Sequence, residues 1–414
     1  MNILVFEDDR VLDLYPVTTG RAAFAITVAS RRLLDWLECL NGSLTAIVRE
    51  HLREMLHADS PMINRKLNLS QELTLVVNAR CVPCQETLAE LQRLRNSRDA
   101  ALAIGSDGSI AAALLATGDA AKIFAGSSCQ SMAILESLST LTPTATTIPV
   151  LQYPHDLVRQ NLEQFSGNLE HRLATGNYRE IAEGVFVTGE VSISDFVVTN
   201  TRSGPILIED GTVIGPFCFL RGPLYIGAGS RVNEYSAIKD SVSIGHTCKI
   251  GGEVEGSIIE SYTNKQHHGF LGHSYLGSWI NLGAGTCNSD LKNTYGEVKI
   301  DYRGERVATG MQFIGCIMGD YSKTAINTSI FTGKTIGVCS MLYGFVTTNV
   351  PSFSNYARTF SQVTESPPGV MELTQKRMFA RRNVQQRKLD IDLLHAMYDL
   401  TRHERQISEE PLNL

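Results

Sequence analysis

Nowhere does this chain run through about 18 apolar residues without interruption, the length a membrane-spanning helix needs. The start is equally unlike a secretory signal. Met1 to Phe6 runs straight into Glu7, Asp8 and Asp9, with no basic region, apolar core or small-residue cleavage site, so a cytoplasmic protein is expected. Positive charge is in deficit, with 37 Lys and Arg against 43 Asp and Glu, a net charge of -6. No global basic field exists to hold a nucleic-acid backbone or an anionic membrane, which leaves small molecules as the expected partners. Paired cysteines are nearly absent too. Of nine cysteines only Cys81 and Cys84 form a Cys-x-x-Cys pair, which lacks the second half of a zinc site, so free thiols in a reducing compartment and no bound metal are expected.

What is present is an ordinary globular composition, 43% hydrophobic and 19% charged, over 414 residues. That length exceeds one compact core and predicts two principal domains. The first 150 residues alternate apolar runs (Ile3 to Phe6, Leu73 to Val77) with helical patterns (Leu33 to Leu40, Glu86 to Leu94). This alternation predicts α/β layering on a mainly parallel sheet, with a hairpin at Asp107-Gly108. Prolines at 143, 149 and 154 mark a joint, and a helical linker is expected over 151–183.

From about Gly184 the texture becomes a count. Ile208, Ile214, Leu220, Ile226, Val232, Ile238, Ile244 and Ile250 fall every six residues, and Ile214, Ile226, Ile244 and Ile250 are each followed by glycine. Neither a helix period nor a strand period yields that series. After a slip of two residues the beat resumes at Ile258, with Asn264 as a polar exception and Phe270, Leu276 and Leu282 in frame. A third run is Met318, Thr324, Ile330, Ile336, Leu342. One short strand and one turn per beat, three beats per coil, predict a triangular solenoid over 184–352 whose interior is a ladder of Ile, Val and Leu.

This beat, together with NLGAGT at Asn281 to Thr286, resembles the left-handed β-helix of the bifunctional glucosamine-1-phosphate acetyltransferase / N-acetylglucosamine-1-phosphate uridylyltransferase family. A closer resemblance is to a GlmU-like group of sugar nucleotidyltransferases, through NKQHHGFLG (Asn264 to Gly272), LKNTYGEVK (Leu291 to Lys299) and IMGDYSKTAIN (Ile317 to Asn327). It implies a left-handed helix, a homotrimer with sites between prisms, and an enzyme of sugar-nucleotide metabolism. The implied chemistry is acetyl transfer from acetyl-CoA to an amino-sugar phosphate on the way to UDP-N-acetylglucosamine or a related sugar nucleotide.

Acyl transfer to an amine needs a base near neutral pH, which suits histidine. His267 lies fourteen residues before Asn281 and matches the family's base. His268 and His273 read as supporting neighbours. The glycine-rich turn Gly283-Ala284-Gly285 offers backbone N–H groups for a developing oxyanion. The resemblance places Arg221 and Asn281 near the sugar phosphate, with Lys299 as a further substrate contact, and Ala284, Lys323 and Thr324 toward the acyl donor. Three departures stand out. Asp290 falls where a sugar-binding asparagine is expected, with Asn288 close by; Phe270 replaces a tyrosine; and Tyr343 stands where relatives carry a small residue beside coenzyme A.

The N-terminal domain resembles the nucleotidyltransferase half faintly, through Leu14, Pro16, Thr18 and Arg21. The glycine-rich phosphate loop expected after the first strand is replaced by Glu7, Asp8, Asp9 and Arg10, which repel phosphate. Ala79, Arg80 and Cys81 supply no carboxylate where relatives hold Mg²⁺, a cofactor only of an active domain. A degenerate domain is expected, with Arg10 and Arg21 as its candidate nucleotide contacts. Beyond Pro351 a polar tail (353–414) carries a basic helical pattern from Glu372 to Gln406, read as packing on the prism or a neighbouring subunit rather than binding RNA or membrane. The alternative to an enzyme is a catalytically silent sugar-nucleotide-binding or assembly module on the same scaffold.

Overall fold

A computed structural model describes residues 1–97, 100–125, 138, 141 and 143–406. It divides into two units, one of Met1–Thr27 and Arg31–Tyr153, the other of Val28–Ser30 and Pro154–Leu414. Among the described residues no helix is long and apolar enough to cross a membrane.

The first unit is built on one six-stranded sheet. Asn2–Phe6, whose residues are all buried, pairs in parallel with Ser43–Ile47 on one side and Leu73–Asn78 on the other. The sheet is mainly parallel as expected, with five of its six strands running one way and a single strand reversed. Ile110–Ala116 runs antiparallel to both Leu73–Asn78 and Ala101–Gly105, because the tight turn at Asp107-Gly108 reverses the chain with Gly108 at φ +79°. Gln85–Ser97 packs Leu88, Leu91 and Leu94 inward.

The second unit begins with the helix Asp156–Thr175 and continues as a solenoid of three parallel walls. One wall runs Val185–Val187, Ile206–Ile208, Leu224–Ile226, Val242–Ile244, Ile258–Ile259, Tyr275–Leu276, Cys316–Met318, Lys334–Ile336. A second contains Val213–Ile214, Arg231–Val232, Lys249–Ile250 and Asn264–Lys265, and a third Phe219–Arg221, Ala237–Lys239, Glu253–Glu255 and Phe270–Gly272. All eight residues of the six-residue series from Ile208 to Ile250 are 0% exposed, and they stack in one core. The architecture fits a left-handed β-helix.

Beyond Ile250 the inward series is offset by one place from the sequence reading. Val254, Ile259, Lys265 and Leu271 face inward, while Asn264 and Phe270 face out. The cause is a shortened coil: Leu220 pairs with Ile238, eighteen residues on, but Ile238 pairs with Val254, sixteen on, and Ile244 and Ile250 with Ile259 and Lys265, fifteen on. Leu276, Leu282 and the run from Met318 to Leu342 are inward as read. The solenoid also continues past Pro351, since Ser354–Ala357 pairs with Met341–Leu342 and then with Gln362–Glu365. Over one corner lie the helices Pro368–Ala380 and Lys388–Leu400, burying Met371, Phe379, Leu393, Leu394 and Met397, with Phe379 against Trp279 at 4.5 Å between ring centres. The tail therefore packs on its own prism, apolar face inward; residues 407–414 lie outside the described residues.

Candidate active site at a shortened corner

At the corner between the second and third walls the chain passes Asn233-Glu234-Tyr235 in one coil, Gly251-Gly252 in the next, and Gln266-His267-His268 in the one after. These eight residues line an open cavity of about 490 Å³. Gly251 and Gly252 bring no side chain to its floor, and the coils are tight there. A Cβ on Gly251 would lie 2.3 Å from the Gln266 carbonyl oxygen; Gly252, at φ +72°, would meet Gly269 and the His267 carbonyl at 2.9–3.0 Å.

His267 is exposed at the rim. The Gln266 side-chain nitrogen lies 3.1 Å from its Nε2, within hydrogen-bond distance. The backbone of the turn is held from inside. Lys265, only 2% exposed, donates from Nζ to the Gly251 carbonyl at 2.7 Å and the His267 carbonyl at 2.9 Å. Burial pushes its pKa down to about 8. Asn233 ties the corner by donating to the Gln266 carbonyl at 2.9 Å.

The other residues singled out from the sequence are scattered around this cavity rather than gathered in it. Asn281 is half-buried on the second wall, where its Oδ1 accepts a long hydrogen bond from Asn264. Arg221 is ion-paired to Asp240 on the third wall, and three rungs separate it from Gly272. Asp290 accepts from His273 Nδ1 at 2.8 Å. Asn288 and Thr324 both point into the coil: Asn288 bonds the backbone N–H and carbonyl of Gly272, and Thr324 accepts from Gly283 N–H and bonds Thr286. Lys299 is exposed on the hairpin Lys299–Tyr302/Glu305–Ala308. Lys323 is half-buried with Nζ donating to the Tyr321 carbonyl, its pKa pushed by burial to about 8. Tyr343 is half-buried one strand beyond Lys323–Thr324. In the glycine-rich turn, Gly283 N–H is taken by Thr324 and Gly285 N–H by the His268 carbonyl, which leaves Ala284 N–H as that turn's available donor.

Asn233, Glu234, Tyr235, Gly251 and Gly252 were not anticipated. The signal was in the sequence: the doubled glycine falls where the beat slips, one coil before His267.

In the first unit the acidic loop is not the repelling surface expected of it. Glu7 is fully buried and accepts from Ala23 N–H and from the backbone and guanidinium of Arg49. Arg80, 0% exposed, grips Asp8 through Nε and Nη2 at 2.7 Å and Asp107 through Nη1 at 3.1 Å. Burial alone would raise the Asp107 pKa, but Ser109 hydrogen bonds and the charges of Arg80 and Arg10 hold it at about 2. Arg10, half-exposed, ends on the same Asp107 at 2.6 Å, and the Arg21 carbonyl accepts from Arg49. Both carboxylates beside the sheet's end are thus committed to a guanidinium, and a divalent cation does not fit there without displacing it. Cys81 and Cys84 are buried and their thiol pKa values are raised by burial, away from the thiolate a redox pair uses.

The chain thus combines an α/β unit with a hexapeptide-repeat β-helix that carries a side-chain-poor corner beside an exposed histidine. Residues 3–174 match the family model described as sugar nucleotidyl transferase. A bifunctional sugar-1-phosphate nucleotidylyltransferase/acetyltransferase from Sulfurisphaera tokodaii is 30% identical over 175 residues, 42% of this chain and 40% of that protein. The bifunctional protein GlmU from Ralstonia pickettii is 32% identical over 113 residues, 26% of this chain and 25% of its own. The matched segments thus span well under half the length of these relatives. A UDP-N-acetylglucosamine acyltransferase structure from Francisella novicida superposes over 55% of this chain and 93% of its own at 14% identity, with a TM-score of 0.28, too low to inform the chemistry.

Proposed function

We propose that this chain is an enzyme of sugar-nucleotide metabolism whose solenoid transfers an acyl group from a coenzyme A thioester, acetyl-CoA in the simplest case, to the amine of an amino-sugar phosphate, with His267 as general base. The observation that carries the reading is the cavity itself: an exposed histidine lining it beside two glycines that bring no side chains. The amine nitrogen attacks the thioester carbonyl carbon, the C–N bond forms and the C–S bond breaks. The amine proton passes to His267 Nε2 once the Gln266 amide swings aside, and the departing thiolate takes up a proton. Ala284 N–H is the backbone donor available to the oxyanion in the glycine-rich turn. Arg221, Asn281, Asn288, Asp290 and Lys299 remain the sugar-side candidates, and Lys323, Thr324 and Tyr343 the donor-side ones. A homotrimer, with a neighbouring prism closing the open side, and a cytoplasmic location belong to the same proposal.

The test is turnover. Purified protein, hexosamine 1-phosphates and acetyl-CoA are followed by free-thiol release in wild type and His267→Ala. A loss of about a hundredfold or more is expected for the variant, and equal rates remove His267 from the mechanism.

For the α/β unit a second reading has its own support. Arg80 between Asp8 and Asp107 favours a nucleotidyltransferase-like unit that binds a sugar nucleotide or serves assembly without turnover. UDP-sugar binding without pyrophosphate exchange under Mg²⁺ supports that reading, and exchange refutes it.

A further inference from the structure

Across the second wall, Arg231 and Lys249 are ladder partners, about 4.8 Å apart along the stack, and Asn264 is the next rung. Arg382, two residues past the helix Pro368–Ala380, donates from Nη2 to the Asn264 side-chain oxygen, with Arg381 next to it in the chain and close enough to act on Lys249. Four cations therefore gather about three neighbouring strands. Among the described residues none of the four forms an ion pair, although the chain as a whole carries a net charge of -6. Their mutual field is felt at Lys249, whose pKa is lowered first by burial and then by Arg382, Arg381 and Arg231, with no carboxylate opposing. Arg382 is depressed by burial and by Arg381, opposed only by Cys248 and Tyr262.

Like charges are held together at a cost in free energy, and a site that supplies guanidinium forks and an ammonium without counter-ions is complementary to an oxyanion of two or more charges. The helix C-terminus accounts for Arg381 and Arg382 in part, since cations are favoured there, but not for Arg231 and Lys249, which come from the solenoid. We infer that Arg231, Lys249, Arg381 and Arg382, with Asn264 positioning Arg382, form a binding site for a phosphate or pyrophosphate group on the second wall. The group belongs to a phosphorylated small molecule, and the site stands whether or not His267 performs catalysis.

The probe is sodium pyrophosphate, titrated calorimetrically into the full chain at constant ionic strength, with inorganic phosphate, glucosamine 1-phosphate and coenzyme A as separate arms that identify the source of the group. Lys249→Met is expected to weaken pyrophosphate binding by about tenfold and Arg381→Gln/Arg382→Gln by more, with affinity falling as salt rises. His267→Ala is expected to bind pyrophosphate as wild type does. That result keeps the anion site separate from the fate of the acyl-transfer reading. Arg402→Gln, on an exposed residue paired to Asp399 at the other end of the tail, controls for loss of charge alone. Pyrophosphate affinity unchanged in both Lys249→Met and the double variant, or no binding by wild type at millimolar concentration, overturns the inference.

Discussion

Lys265 is an ammonium group in a ladder built mostly of Ile, Val and Leu, and replacing it by methionine tests how the corner beside His267 is held. In the folded chain its pKa is about 8 and in the unfolded chain close to the ordinary 10.5. That interval spans two and a half decades, which at about 1.4 kcal/mol per decade comes to roughly 3 kcal/mol as an upper figure. The sign follows from proton counting. Between pH 8 and 10.5 the unfolded state binds the proton that the folded state has released, so stability rises with pH across that window; below about pH 8 both states are protonated and the burial penalty is fully present. Lys323, also lowered to about 8 by burial, adds a rise of the same sign, so wild type alone does not isolate either lysine. The informative quantity is the difference between wild type and Lys265→Met in urea unfolding, followed by circular dichroism at pH 7.5 and pH 10. Wild type is expected to gain on the variant by up to about 2 kcal/mol between those two pH values. Parallel pH dependences in the two proteins would mean that the Lys265 amine titrates normally, and the account of a desolvated ammonium inside the coil would fail.

Removing Arg80 as Arg80→Met leaves Asp8, exposed by 4% at its side chain, without that guanidinium and Asp107 with Arg10 alone, and a loss of about 3–5 kcal/mol in the α/β unit is expected from denaturant unfolding at pH 7. Asp107's part of that stability is present above its unfolded value of 3.8 and is lost as pH falls through about 2, so a loss under about 1 kcal/mol at pH 7 contradicts the network. Gly251→Ala sets a Cβ 2.3 Å from the Gln266 carbonyl oxygen and moves the His267 turn by about 1 Å, for which a fall in kcat/KM of about a hundredfold is expected in the thiol-release assay; an unchanged value removes the corner from the site.

The solenoid from Ile208 to Ile250 was legible because its period is local: each inward residue is fixed by neighbours six places away, and stacking adds nothing that changes the count. Past Ile250 the count misled by one place. Asn264 was read as the polar interruption, whereas Lys265 is the residue inside, because Ile250 pairs with it across a coil of fifteen residues and a lysine is not expected in an aliphatic column. The acid loop shows the other kind of failure. Glu7 and Asp8 were visible as charges, but their neutralisation by Arg49 and Arg80 links positions 42 and 72 residues apart, and no local pattern reports that. Likewise the tail was read as a helix packed on the prism or a neighbouring subunit, but that pattern does not report that its Arg381 and Arg382 act on Lys249.

The break in the beat and the cavity have one origin. Six positions separate the ladder residue Arg231 from Ala237, but only four separate its partner Lys249 from Glu253, so the coil loses two residues at the corner occupied by Gly251 and Gly252. In the preceding coils that corner carries Phe196, Phe217 and Tyr235, stacked nearly parallel at 5.1 and 5.3 Å and exposed by 50% or more. The column of rings stops at Tyr235, and the next coil puts only backbone beneath the turn that presents His267. A shortened corner could be a mere irregularity of the stack if the coil above it relaxed into the gap. It does not, because Lys265 and Asn233 fasten the turn to its neighbours through three backbone carbonyls. The opening is therefore enforced by buried polar bonds in a core that otherwise has little use for them, and that expense in stability is what separates a binding corner from a packing defect.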